Sequence, residues 1–352
     1  MIVRNSTSRV PLVAVAFTVC VAMLGVSCDG GGDSGAGTPA AAATAATEVS
    51  ATAPEQTLSE RAEALCDAPA TPLATVTVQV PAAAEISGLA AGRANGGVLW
   101  AHNDSGDVAR VLAFTTGGEP RGEIRTGGAE AVDWEDMAIG PGQEPDTDYL
   151  YLGDIGDNAA QRPDIVVYRL PEPMLSGETT TVAAASQTIA LRYPDAPHDA
   201  ETLLVDPFTG ELIIITKEIV GGNAGVYVAS ADMLEAGGGT MERAGEITKQ
   251  TLTTARDLPE SAPVLARGVG YVPTGGDISA DGRLIAIRTY ASVWIWARHG
   301  DASVAETLIS TPCEAPSAFE QQGEAIAFAA DGDAYYTISE GAEPQLHRFG
   351  IE

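Results

Sequence analysis

Glu324-Ala325-Ile326-Ala327, then Asp331-Gly332, then Ala334 to Ile338: near the end of the chain an acid opens a short apolar strand, a tight turn reverses it, and a second apolar strand returns. Asp-Gly between two apolar runs is a hairpin signal, because the turn it forms tolerates the left-handed backbone that joins twisted strands. The phrase recurs upstream at Ser87-Gly88-Leu89-Ala90, Glu135-Asp136-Met137-Ala138, Glu201-Thr202-Leu203-Leu204 and Asp277-Ile278-Ser279, which makes five copies. The turns after them hold Pro141-Gly142, Asp206-Pro207 with Thr209-Gly210, and Asp281-Gly282. Second strands are expected at Val98 to Ala101, Tyr149 to Leu152, Leu212 to Thr216 and Leu284 to Ile287. Third strands follow at Val111 to Phe114, Ile165 to Leu170, Val226 to Ala229, Val293 to Ala297 and Gln345 to Phe349.

The copies are spaced by 48, 66, 76 and 47 residues, close to the length of a propeller blade with insertions in the second and third units. Only 28 residues separate Glu324 from Glu352, room for three strands, and the run Thr71 to Val80 is the natural fourth. The pattern therefore predicts an all-β fold, a β-propeller of five blades whose N-terminal strand closes the last blade. A sixth blade inside the insert between Met233 and Pro273 is the alternative.

Composition narrows the function. Nineteen Lys and Arg stand against 48 Asp and Glu, a net charge of −29, which rules out sequence-blind electrostatic binding of nucleic acid. Hydrophobic content of 45% suffices for a large core although aromatics reach only 5%, and 39 Gly with 21 Pro fit frequent turns.

Residues 1–27 read as a secretory signal, with Arg4 and Arg9 ahead of an apolar run from Pro11 to Ser27 that is short for a membrane span. Leu24-Gly25-Val26-Ser27-Cys28 resembles the lipobox of bacterial lipoproteins, and the resemblance implies that Cys28 is lipidated and becomes the new N-terminus. An ordinary signal peptide is the alternative. Residues 28–60, rich in Gly, Ala and Thr, are expected to be a disordered tether, with the folded domain at 61–352. The chain is thus expected outside the cytoplasm, held to a membrane through its lipid, and monomeric. Cys66 and Cys313 are the remaining pair, one before the first strand and one before the last repeat. Outside the cytosol they suggest a disulfide joining the ends of the fold, with two separate thiols as the alternative.

In a propeller the first strand of each blade starts at the same channel mouth to which the second strand returns. The starts are Ser87, Glu135, Glu201, Asp277 and Glu324. The returns include His102-Asn103-Asp104-Ser105, Asp154 through Asn158, Lys217-Glu218, Arg288-Thr289-Tyr290 and Ser339-Glu340. So many acids at one rim repel unless a cation, a basic residue or protonation offsets them. Calcium accepts six to eight oxygens in flexible geometry, so the five start residues are candidate calcium ligands. The competing expectation is that some acids bond backbone amides of neighbouring blades.

Val132-Asp133-Trp134-Glu135-Asp136, Gly153 through Asn158, and His102 through Gly106 together resemble a set found in secreted bacterial propellers that carry no settled activity. The ring Ser87, Glu135, Glu201 and Glu324 resembles the Ser/Glu ring that holds calcium in the five-bladed calcium-activated nucleotidases, with Asp277 where that family has serine. The leading reading is a binding module with calcium in its channel. An alternative is a calcium-dependent phosphoester hydrolase, with His102, Asp104, Asp154, Asp157 and Arg288 near its substrate. A carbohydrate-active enzyme using two of Asp133, Asp136, Asp154, Asp157 and Glu201 is a further one. His198 beside Asp199 is another candidate base, and Trp134 is the tryptophan placed nearest the mouth.

Overall fold

The first strands of all five repeats are buried on both faces, which is why none of them shows the alternation of apolar and polar residues typical of a half-buried strand. The computed structural model describes residues 53–176, 180–220 and 222–351. The expected signal peptide, Cys28 and most of the expected tether lie outside these residues.

Five small sheets form the blades. Blade one has strands Ile86–Ala91, Val98–Asn103, Arg110–Thr115 and Pro120–Gly127. Blade two has Trp134–Pro141, Asp148–Asp154, Ile165–Pro171 and Gln187–Arg192. Blade three has Ala200–Val205, Leu212–Thr216, Ala224–Ala229 and Glu242–Ile247. Blade four has Pro273–Ile278, Leu284–Thr289, Val293–Ala297 and Cys313–Ala315. Blade five has Gly323–Phe328, Ala334–Ser339 and Gln345–Gly350, and its outer strand is Ala74–Thr77, antiparallel to Gln345–Gly350. Each innermost strand lies against that of the next blade, and the fifth against the first, so the ring closes as a five-bladed propeller. The expected closing strand is present, shorter than Thr71 to Val80.

The core is five apolar layers, one at each seam between blades. Trp100 and Trp134 fill the layer between blades one and two, and Trp294 and Trp296 the layer between three and four. Packing, not ligand binding, is what places these four rings.

The insert after Met233 forms no sixth sheet among the described residues. It reveals how the seams are laced. Between its third and fourth strands the chain of blade two steps back and adds Thr180–Ala185, parallel, to the outside of blade one. Blade three does the same with Gly238–Thr240 on blade two. In blade four a capped helix, Val304–Leu308, packs on the outer strand of blade three. Blade five uses the helix Ala53–Cys66, which packs on the two outer strands of blade four. That helix corrects the expected tether, whose last residues, 53–60, are helical. Its end carries Cys66, disulfide-bonded to Cys313 with Cα atoms 6.0 Å apart. Among the described residues no helix is long and apolar enough to cross a membrane.

Candidate functional site at the channel mouth

In every blade the ladder between the first and second strands slips by one residue at the same level, just inside the start of the first strand. A bulge of this kind leaves one residue unpaired and re-aims its side chain. The five bulged residues are Ser87, Glu135, Glu201, Thr274 and Glu324. Four were expected from the sequence. The fourth-blade position belongs to Thr274 and not to Asp277, which lies three residues further along the strand. Asp277 instead accepts the Ile278 N–H at 2.8 Å and the Phe328 N–H of blade five at 2.7 Å. A marker was present in the sequence: Thr274-Gly275 repeats the hydroxyl-glycine pair Ser87-Gly88.

Asp136 behaves as Asp277 does. Fully buried, it accepts the N–H groups of Met137 at 2.8 Å, Leu203 in blade three at 2.9 Å and Gly276 in blade four at 3.1 Å. The acids near the channel therefore divide by register. Those on the bulge line the mouth, and those just past it tie blades together.

The bulged residues form a connected set. The Ser87 hydroxyl donates to the Glu135 carbonyl, and the Thr274 hydroxyl to the Gly323 carbonyl at 2.9 Å. Glu201 pairs with the ammonium of Lys217, which also sits 5.5 Å from the centre of the Tyr290 ring. The Tyr290 hydroxyl donates to Glu324 at 3.3 Å. The same ammonium stabilises the charged forms of Glu135 and Glu324, so carboxylates from blades two, three and five converge on one cation. It does not satisfy them all. Glu201 Oε2 is buried with no partner among the described residues. Burial, reinforced by Asp104 and Asp133, pushes Glu135 well above the ordinary carboxylate range. Burial raises Glu324 as well, and it raises Glu340 to about 8, with Glu324 and Asp104 adding repulsion.

Outside the ring the loops of blades one and two meet. Oxygens of Asp104, Asp133 and Glu135 lie within 4.8 Å of one another. Burial, then Asp104 and Asp199, raises Asp133 to about 6. The Gly153-to-Asn158 loop shapes this corner. Asp154 accepts the N–H groups of Val132 and Asp133 at 3.2 Å each and pairs with Arg162 at 2.7 Å. Asp157 accepts from the Gln161 and Arg162 amides, both at 2.6 Å, while its own N–H donates to Asp199 at 2.8 Å. Both aspartates thus hold loops in place. A neighbouring depression of about 330 Å³ is lined by Asp157, Asn158, His198, Asp199, Lys217 and Glu218.

Of the residues expected beside a substrate, Asp104, Asp154 and Asp157 reach this corner, whereas His102 and Arg288 do not. His102 is fully buried under Gly88, edge-on to Trp134 at 5.2 Å, with Nδ1 3.0 Å from the Asn103 carbonyl. Burial lowers its pKa below the ordinary imidazole value. Arg288 is buried, bonded to Glu320 and to the carbonyls of Ala325 and Ile338, so its charge is spent across the seam of blades four and five. His198 bridges Glu218 and Asp195 at 3.2 Å each and meets the Tyr227 hydroxyl at 2.9 Å. Trp134 is buried and donates to the Glu130 carbonyl at 2.9 Å.

No family model matches the chain, and no curated protein matches it. Among solved structures it is similar to a chain of the Kuenenia stuttgartiensis hydrazine synthase, at 14% identity and a TM-score of 0.40, over 79% of this chain and 98% of that chain.

Proposed function

We propose that this propeller is an extracytoplasmic binding module, carried on an N-terminal lipid at Cys28, whose channel holds a calcium ion. One observation carries the metal reading: all five bulge positions bear oxygen donors, three of them carboxylates that share a single lysine. Hard oxygen donors with no sulfur or imidazole among them suit calcium, and the orphaned Glu201 Oε2 is the buried acceptor a cation would satisfy. Ser87, Glu135, Glu201, Thr274 and Glu324 would hold the ion. When bound it supplies positive charge to the ring and leaves coordination positions facing the mouth for an oxygen of a ligand. Lys217 provides that charge in the metal-free protein and must yield part of its place. The disulfide fits an oxidising compartment. The buried His102 and the spent Arg288 favour binding over hydrolysis.

Thermal unfolding tests this. With EDTA removed, calcium should raise the melting temperature of the purified protein more than magnesium does, by mass action on the native state. Glu201→Gln should abolish the rise. No shift with either ion would return the ring to Lys217 alone. For the anchor, Cys28→Ser should move the protein from the membrane fraction to the soluble one.

A further inference from the structure

We propose a second divalent-cation site at the channel mouth, built by Asp104 and Asp133 and sharing Glu135 with the ring. Three carboxylates bring oxygens within 4.8 Å of one another, close enough for one ion to bind all three. They are short of donors. Among the described residues the only hydrogen bond to these carboxylates is from the Ser105 amide to Asp104. Glu135 is 5% exposed and, among the described residues, no hydrogen bond reaches its carboxylate, whose one stabilising charge is the Lys217 ammonium already bonded to Glu201. The nearest guanidinium, Arg162, is committed to Asp154 at 2.7 Å and to the Gly156 carbonyl at 2.7 Å. Lys217 is bonded to Glu201 of the neighbouring blade three and acts on Glu135 only through its charge.

The backbone keeps the position open. A Cβ on Gly156 would fall 2.2 Å from Glu135 Oε1 and 2.5 Å from Asp133 Oδ2, so the glycine clears the space in front of both carboxylates. Asp154, by binding the Val132 and Asp133 amides, fixes the loop that carries Asp133. Asp104 and Asp133 are half-buried, so the outer side of the ion would face solvent. Three carboxylates leave several of a calcium ion's positions to water, and those waters are the ones an anionic oxygen, phosphate or carboxylate, would replace. A protein this acidic would in that way present a cation to an anionic ligand.

The site rests on its own residues, although it shares Glu135 with the channel reading, and calcium stoichiometry separates the two. Titration calorimetry of the full protein with calcium chloride should give two equivalents. Asp104→Asn/Asp133→Asn should leave one, and Glu201→Gln should also leave one, with circular dichroism confirming the fold of each. A single equivalent that survives Asp104→Asn/Asp133→Asn and is lost in Glu201→Gln would overturn the mouth site and keep the ring. A single equivalent with the opposite response would keep the mouth site and remove the ring. No binding in the parent protein overturns both.

Discussion

Lys217 is the residue on which the metal-free channel depends. Its ammonium is the partner of Glu201 and the nearby positive charge for Glu135 and Glu324. Removing one partner of a buried pair leaves the other charge uncompensated, at a cost of about 3 kcal/mol. Lys217→Met should therefore lower the melting temperature in EDTA, yet bind calcium about tenfold more tightly, because a competing cation worth roughly 1.4 kcal/mol has gone. Chemical denaturation with and without calcium measures both effects. Gly156→Ala makes the converse test: the side chains of Glu135 and Asp133 can move aside, so the fold should survive while mouth affinity falls about tenfold, roughly 1.4 kcal/mol. At this scale the sequence was only partly legible. Ser87, Glu135, Glu201 and Glu324 could be read because each opens a recognisable apolar run. Thr274 is marked only by its likeness to the Ser87-Gly88 pair, since Gly275 and Gly276 hide the start of its strand and the acid that stands out, Asp277, sits past the bulge. Acid identity alone does not report register.

At the scale of the element, strands buried on both faces announced themselves and outer strands did not. Leu212–Thr216 carries five buried residues in a row and was delimited from sequence to the residue. Glu242–Ile247 is largely exposed with only Ile247 buried, and Thr180–Ala185 joins a blade to which it is not adjacent in sequence, so neither carries a hydrophobic pattern that assigns it. Asp136 adds to apolar packing in fixing the inner strands. One carboxylate takes amides from blades two, three and four, and Asp136→Ala would strand three N–H groups in a dry interior. A loss of at least about 3 kcal/mol in unfolding free energy is expected, since each buried unsatisfied amide costs about 1 to 3 kcal/mol. Calorimetric unfolding of this variant checks it. A change below 1 kcal/mol would mean that water reaches these amides.

For the whole molecule, the acids set how stability varies with pH. Burial raises Asp133 to about 6, Asp277 to about 7 and Glu340 to about 8, all above the unfolded value near 4. A carboxyl with a raised folded pKa binds its proton more tightly in the native state, so its ionisation opposes folding. Metal-free protein should lose stability as pH rises from about 4 through 8, and saturating calcium should flatten that slope. Asp206 and Asp281, held low by Arg298 and by Ser279 and Arg61 against the opposing effect of burial, act in the opposite sense and withdraw support below about pH 4. Melting temperatures across pH 4 to 9 in EDTA and in calcium would show both trends. The Cys66–Cys313 bond spans 247 residues of sequence, and its reduction should cost about 4 kcal/mol. It also decides how the ring responds to force. A pull on the chain upstream of Ala53 reaches the helix and passes through the disulfide into the outer strand of blade four, before any load can arrive at Ala74–Thr77. That four-residue strand is what closes the circle, and it would be the easiest to peel. Tension is thus diverted covalently past the molecule's mechanical weak point, and a protein drawn by its N-terminus should yield only after blade four does.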